Sequence, residues 1–318
     1  MPLLAAWGDG DGVGQVMEFL LNKVALNLVA WQAEPAVIAG TVAVLMQLTR
    51  TREKQRALLQ SQPLWDLATS FCDDDSPLSS LPAELQMHIA QAVCRTCSAA
   101  TTVAEQGAYL FRLLEPCGNR FAALLALPGF AQAGQQPELR RHLLRALHIM
   151  RGVVRATDRN SSGAVYQYFY PHLEAMQGML TVFAADAELT AVVLECYIDI
   201  TAHWLPQLSE AQEVEKAQLL ASCFNAIEAW SGAHLGRGGD PGQDVIDGLV
   251  AVMDLLQALA SECDPSPFAP TPARHPQQTT NNQQTANQSL KLCFALPCNL
   301  PCLRTSARSE YAYLLART

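Results

Sequence analysis

The residues best placed to do chemistry are cysteines and histidines. Cys293, Cys298 and Cys302 form a C-x4-C-x3-C cluster, and three thiolates at such spacing are most of a tetrahedral zinc site. The fourth ligand is missing: the nearest histidine, His275, lies beyond a polar tract. The cluster is therefore read as three cysteines of an unstructured segment. Cys94 and Cys97 spell C-x-x-C, but they fall at i and i+3 of an apolar helical pattern with no βαβ context, so packing explains them better than redox chemistry. The stretch Asp9-Gly-Asp11-Gly-Val-Gly14 faintly resembles a calcium loop. Its fifth and twelfth positions would be Val13 and Leu20, neither of which can ligate. Gly236, Gly238, Gly239 and Gly242 could be imagined cradling a phosphate, yet they follow a helix and lack the strand and the lysine of a P-loop. A tight turn is the simpler reading. His142 and His148 are six residues apart, on different helical faces, while His88, His172, His203 and His234 stand singly. Each reads as a surface or packed histidine. No H-E-x-x-H, G-x-S-x-G or G-x-x-x-x-G-K-[ST] occurs. The sequence thus predicts no catalytic, cofactor-binding or metal-ligating residues, and a protein that acts by binding.

The elements that would position any binding residues are helices. Between Ser209 and Glu262 two long helices are joined by a glycine-rich turn. In the second, Val245, Leu249, Val252, Leu256 and Leu259 recur every three or four residues, with Ile246, Val250, Met253 and Ala260 as a second stripe. The first carries Val214, Ala217, Leu220, Phe224 and Ile227 on one stripe and Leu219, Cys223, Ala226 and Trp230 on another. A pair of such helices cannot cover both stripes alone. Stacking pairs side by side does, which is how a helical-repeat solenoid buries its core. Ser209 with Gln212 has the form of a capping box, and Asp240-Pro241 that of a cap and first-turn proline.

The same grammar holds upstream. Helices are expected over about 13–31 (Val16, Phe19, Leu20, Val24, Leu28 inward), from Pro35 (Ile38, Val42, Leu45, Met46), and through Leu58, Leu59, Leu64, Leu67 and Phe71 after a basic turn at Arg50–Arg56. Asp73 to Pro82 reads as a loop. Further helices follow at 83–99, at 103–127 with a kink or break at Pro116 and Gly118, from Pro137, at 162–184 with an aromatic stripe assigned to the core, and at 188–205 behind an Asp186 cap. About ten helices in units of 40–50 residues match two-helix HEAT-type arrays. The expected organisation is a flexible leader at 1–12, a helical-repeat domain at 13–263 and a tail at 264–318. Five prolines between 265 and 276 and a Gln, Asn and Thr tract to Gln288 give that tail a disordered composition.

Composition narrows the function class. The formal net charge is −9. After Cys263 five basic residues (Arg274, Lys291, Arg304, Arg308, Arg317) stand against two acidic ones (Asp264, Glu310), so the tail is +3 and the body −12. An acidic body argues against direct nucleic-acid binding and suits basic protein partners. Ten cysteines in 318 residues fall short of a disulfide scaffold, and most lie within apolar helical patterns, which points to a reducing compartment. Met1–Gly12 lacks the basic n-region and long apolar run of a signal sequence, and the acidic residues Glu195, Asp199 and Asp254 interrupt the longest stripes. A soluble intracellular protein with no membrane association is expected.

Four segments carry a resemblance: Phe19-Leu-Leu-Asn-Lys-Val-Ala-Leu-Asn-Leu-Val-Ala-Trp31, Tyr109-Leu-Phe-Arg-Leu-Leu-Glu-Pro-Cys-Gly-Asn-Arg-Phe121, His234-Leu-Gly-Arg237 and Gly248-Leu-Val-Ala-Val-Met-Asp-Leu-Leu-Gln-Ala-Leu259. In order and spacing they resemble interior pieces of the exportins, karyopherin-beta nuclear transport receptors, over about residues 13–263. The resemblance implies an α-solenoid that binds Ran-GTP and protein cargo in the nucleus. It also implies passage of the pore through phenylalanine-glycine repeats of nucleoporins and shuttling between nucleus and cytoplasm. A basic-surfaced cargo such as the hypusine-bearing translation factor would complement an acidic receptor. Receptors of this family are several times longer, so the chain is expected to be a partial one lacking the amino-terminal Ran-binding arch. No compact motif assigns partner contacts to individual residues. The residues alone leave a second reading open, a general helical-repeat scaffold unconnected with nuclear transport.

Overall fold

A computed structural model of the chain describes residues 11–73, 76–127, 130, 136–235 and 242–263. Among them are eleven α-helices and no strands: α1 Asp11–Ala30, α2 Pro35–Leu48, α3 Arg52–Leu59, α4 Gln62–Cys72, α5 Ala83–Cys97, α6 Val103–Leu125, α7 Pro137–Ala156, α8 Ser162–Val182, α9 Ala187–Asp199, α10 Glu213–His234 and α11 Gln243–Cys263. The chain zigzags between two layers. Helices α2, α5, α7, α9 and α11 stack in one, and α1, α4, α6, α8 and α10 in the other, with α3 wedged against α1 and α5. This is the stacked all-α array that the doubled apolar stripes require, an α-solenoid of antiparallel pairs.

Local chemistry sets the helix starts. Pro35 and Pro137 stand in the first turns of α2 and α7, where a missing N–H is no loss. Thr102 accepts from the Glu105 amide at 3.2 Å while Glu105 accepts from the Thr102 amide at 3.3 Å, a capping box that opens α6. Asp186 accepts from the Leu189 amide at 3.1 Å and caps α9. At Ser209 the expected box is present, with the Ser209 amide donating to Gln212 Oε1 at 3.3 Å, but it opens a short 3-10 turn ahead of α10.

Several expectations need correction. The basic stretch lies mostly in a helix: Arg52–Arg56 belong to α3, whose outer face is charged and whose inner face buries Leu58 and Leu59. Helix α6 runs unbroken through Pro116 and Gly118; beside them the Tyr168 hydroxyl from α8 donates to the Leu114 carbonyl and lies over Gly118 where another residue's Cβ would stand. A second interior proline, Pro171, sits in α8, and there Tyr197 of α9 donates to the Leu173 carbonyl at 2.9 Å. In α1 the inward residues are Met17, Leu21, Val24 and Leu28, while Phe19 is 61% exposed. In α11 the expected stripe faces inward, with Val252 and Leu259 fully buried and Val245, Leu249 and Leu256 partly buried against the core, but the most deeply buried edge leans toward Leu255. On that edge lies Gly248, where the Trp230 ring of α10 fills the space a Cβ would take, which would stand 2.5 Å from Cζ2. The expected second stripe of α11 is left uncovered, and on α10 it is the Leu219, Cys223, Ala226 and Trp230 stripe that is buried. The expectations for Asp240-Pro241, for Gly236 to Gly239 and for the tail lie outside the described residues.

Candidate protein-interaction surface

The sequence's chemical candidates do not converge. Cys94 and Cys97 are buried in α5, and the Cys97 thiol points at the Val93 carbonyl 3.7 Å away. Burial pushes its pKa up to about 12, which removes the thiolate that redox chemistry needs. Cys196 and Cys223 are likewise buried, their pKa values raised by desolvation. His172 lies edge-on to Phe121 and Tyr168, and His234 stacks on Trp230 with ring centres 4.8 Å apart. His142 Nδ1 lies 3.3 Å from an Arg120 Nη2 atom. Asp11 to Gly14 form the first turn of α1. Among the described residues no group of three or more His, Cys, Asp or Glu side chains could hold a metal. The cluster Cys293, Cys298 and Cys302 with His275 lies outside them. A void of about 10 Å³ between α6, α7 and α8, lined by Cys117, Gly118, Phe121, Met150 and Tyr168 among others, is at the lower limit for one water molecule and far below the ~300 Å³ of a ligand pocket.

The polar side chains that do converge lie on the layer formed by α5, α7 and α9, and sequence reading missed them. Helix α7 presents Arg140, Arg145, Arg151 and Arg155. Arg140 bonds both carboxylate oxygens of Asp186, at 2.6 and 3.0 Å, and pairs with Glu188. Arg151 pairs with Glu195 and, through Nε at 2.8 Å, with Asp199; Arg155 takes the other Asp199 oxygen at 2.8 Å. Toward α5, Arg145 Nε donates to Gln86 Oε1 at 2.8 Å, and Gln91 donates to the Arg155 carbonyl at 3.3 Å. Gln86 in turn donates to the Leu81 carbonyl at 2.6 Å and so ties down the loop before α5. Arg151 and Asp199 are nearly inaccessible, so their charges are tolerable only because each is multiply bonded.

What lets the α5 and α7 stripes meet is Gly152. A Cβ there would stand 2.8 Å from that of Ala90 and closer still to the Met87 carbonyl, so the two backbones cross in near contact. Around this crossing His88, His148 and His203 join Arg95, Arg151 and Arg155 in one polar band. Burial lowers all three imidazole pKa values, and arginine fields add to it: Arg155, Arg95 and Arg151 on His88, Arg151 and Arg155 on His148, Arg155 and Arg95 on His203. Glu84, Glu188 and Asp199 oppose the shifts. The signal in the sequence was Glu195 and Asp199, one turn apart, which were read only as interruptions of an apolar stripe. Arg140, Arg151 and Arg155 are bonded to the carboxylates of the layer, while the buried His148 Nδ1 has no hydrogen-bond partner among the described residues.

The exportin-4 family model matches residues 2–266, that is, every described helix. The chain belongs to the exportin-4 family. The exportin-4 of Dictyostelium discoideum is 18% identical over 236 residues, which make up 72% of this chain and 20% of that protein. The chain thus spans about a fifth of the length of this exportin-4 relative. At that identity little of the exposed surface need be shared, whereas the two-layer array with its apolar stripes is the part that such divergence preserves. No described helix is long and apolar enough to cross a membrane.

Proposed function

We propose that this chain is part of a nuclear export receptor that carries protein cargo through the nuclear pore in a Ran-GTP-dependent cycle. The observation that carries the reading is the exportin-4 family match across residues 2–266, laid over a stacked helical array. The formal charge of −12 before residue 264 supports a basic-surfaced protein cargo, the hypusine-bearing translation factor among them. Phenylalanine-glycine repeats of nucleoporins are the further partners of such a cycle, and nucleus and cytoplasm its compartments. Direct nucleic-acid contact and a membrane have no part in it. Residues 13–263 form the binding domain in this reading.

Ran loaded with a non-hydrolysable GTP analogue is immobilised beside a GDP-loaded control, and the 318-residue chain is passed over both with the basic cargo present. Dictyostelium exportin-4 serves as the positive control. Retention on the GTP form alone is expected. Equal retention on both forms assigns the chain to the scaffold reading.

A further inference from the structure

Helix α11, the last of the described helices, carries an apolar line on the face that no described helix covers. Ile246, Val250 and Met253 follow at i, i+4 and i+7 on the side away from Val252, Leu255 and Leu259, and they are 43%, 56% and 37% exposed. An end repeat ordinarily carries a polar outer face, because nothing stacks on it. Here the charges that flank the line are all of one sign. Asp247 and Asp254 stand beside it, and helix α11 holds no basic residue.

The sequence that follows has the complementary character. Residues 264–318 carry a formal +3, and within them Leu290, Leu292, Phe294, Leu296, Leu300 and Leu303 crowd into fourteen residues, with Lys291 near the start of the stretch and Arg304 just after its end. Between Cys263 and Leu290 lie twenty-six residues, and the ends of a flexible chain of that length average about 25–30 Å apart. Ile246 is seventeen residues back along α11, about 25 Å at 1.5 Å per residue. A tether whose mean span matches the distance to its site gives the greatest effective concentration, in the millimolar range, so even modest apolar and charge contacts suffice.

We propose that residues 290–303 dock in cis on the Ile246–Val250–Met253 face of α11 and act as its cap, with Lys291 and Arg304 meeting the flanking aspartates. The other end of the array also exposes apolar side chains, on α1 (Phe19, Leu26, Trp31), but that helix carries Lys23 beside Glu18 and lies at the far end from the tether. The inference stands whether or not the transport reading does.

The test uses the full chain with Val250→p-benzoylphenylalanine, a photo-crosslinking side chain at an exposed position that leaves the core intact. Irradiation at low micromolar concentration is followed by gel separation and peptide mapping. Links within one chain to residues 290–303 are expected, independent of protein concentration. They should fall about tenfold or more in the added triple variant L292S/F294S/L296S, which removes three apolar anchors. Three results each overturn the proposal. A concentration-dependent dimer band assigns the face to a second copy. Tail links unchanged by the triple variant show mere tethered collision. Absence of tail links shows that the segment goes elsewhere, and the same probe replacing Phe19 reports whether it has gone to α1.

Discussion

At the scale of single residues, the glycines separate two kinds of helix position. Gly40 in α2 has open space where a Cβ would be, whereas Gly152 has the Met87 carbonyl and the Ala90 methyl. Alanine gains up to about 1 kcal/mol of helix propensity over glycine in either place. Gly40→Ala is therefore expected to stabilise by roughly 0.5–1 kcal/mol, and Gly152→Ala to destabilise by about 1–3 kcal/mol through overpacking, both read as shifts of the urea midpoint. The thiols give a second residue-scale expectation. Cys94, Cys97, Cys196 and Cys223 are buried, so they should resist a thiol-reactive disulfide reagent in the native chain and react together once urea has unfolded it. Early reaction at Cys94 or Cys97 would show that α5 opens locally, and with it the crossing at Gly152.

At the scale of elements, the rotation of α11 and the seam between α7 and α9 are the informative cases. Leu255→Ala should cost about 2–5 kcal/mol, the usual toll of a cavity at a fully buried leucine, and Leu256→Ala less than half as much. Equal losses would mean that the helix is turned as its periodicity alone suggests. At the seam, Asp199 accepts from both Arg151 and Arg155. Asp199→Ala leaves two guanidinium groups under-compensated, one of them buried, and is expected to cost on the order of 3–5 kcal/mol. These cases also show what the sequence made legible. Helix existence, order and most caps followed from periodicity, prolines and capping residues, because those are local. Which of two apolar stripes faces inward on α10, and how far the buried edge of α11 leans toward Leu255, did not follow, since both belong to a contact between helices, Trp230 against Gly248. The polar band escaped notice for the same reason: its arginines and carboxylates lie 44 to 48 residues apart in sequence, and nothing local marks them as partners.

For the whole molecule, five histidines act in one direction. Burial holds the pKa values of His88, His142, His148, His172 and His203 below the ordinary 6.5. The unfolded chain therefore binds more protons than the folded one just below that pH. Their contribution is complete above about pH 6.5 and is lost as the pH falls toward the folded-state values. The melting temperature should drop steadily from pH 7.5 to 5.5, a range above the ordinary carboxylate titrations, and His172→Phe should flatten that slope. A flat profile would place the imidazoles in water. The crossing at Gly152 has one more effect. Every pair after α7 is laid upon it, so the angle fixed there is inherited by α9 and α11 as the first tread of a staircase fixes the landing. A slight twist at that tread swings the whole carboxyl-terminal half, whereas the same twist between α9 and α11 moves one helix. The position without a side chain thereby decides where the last described helices point.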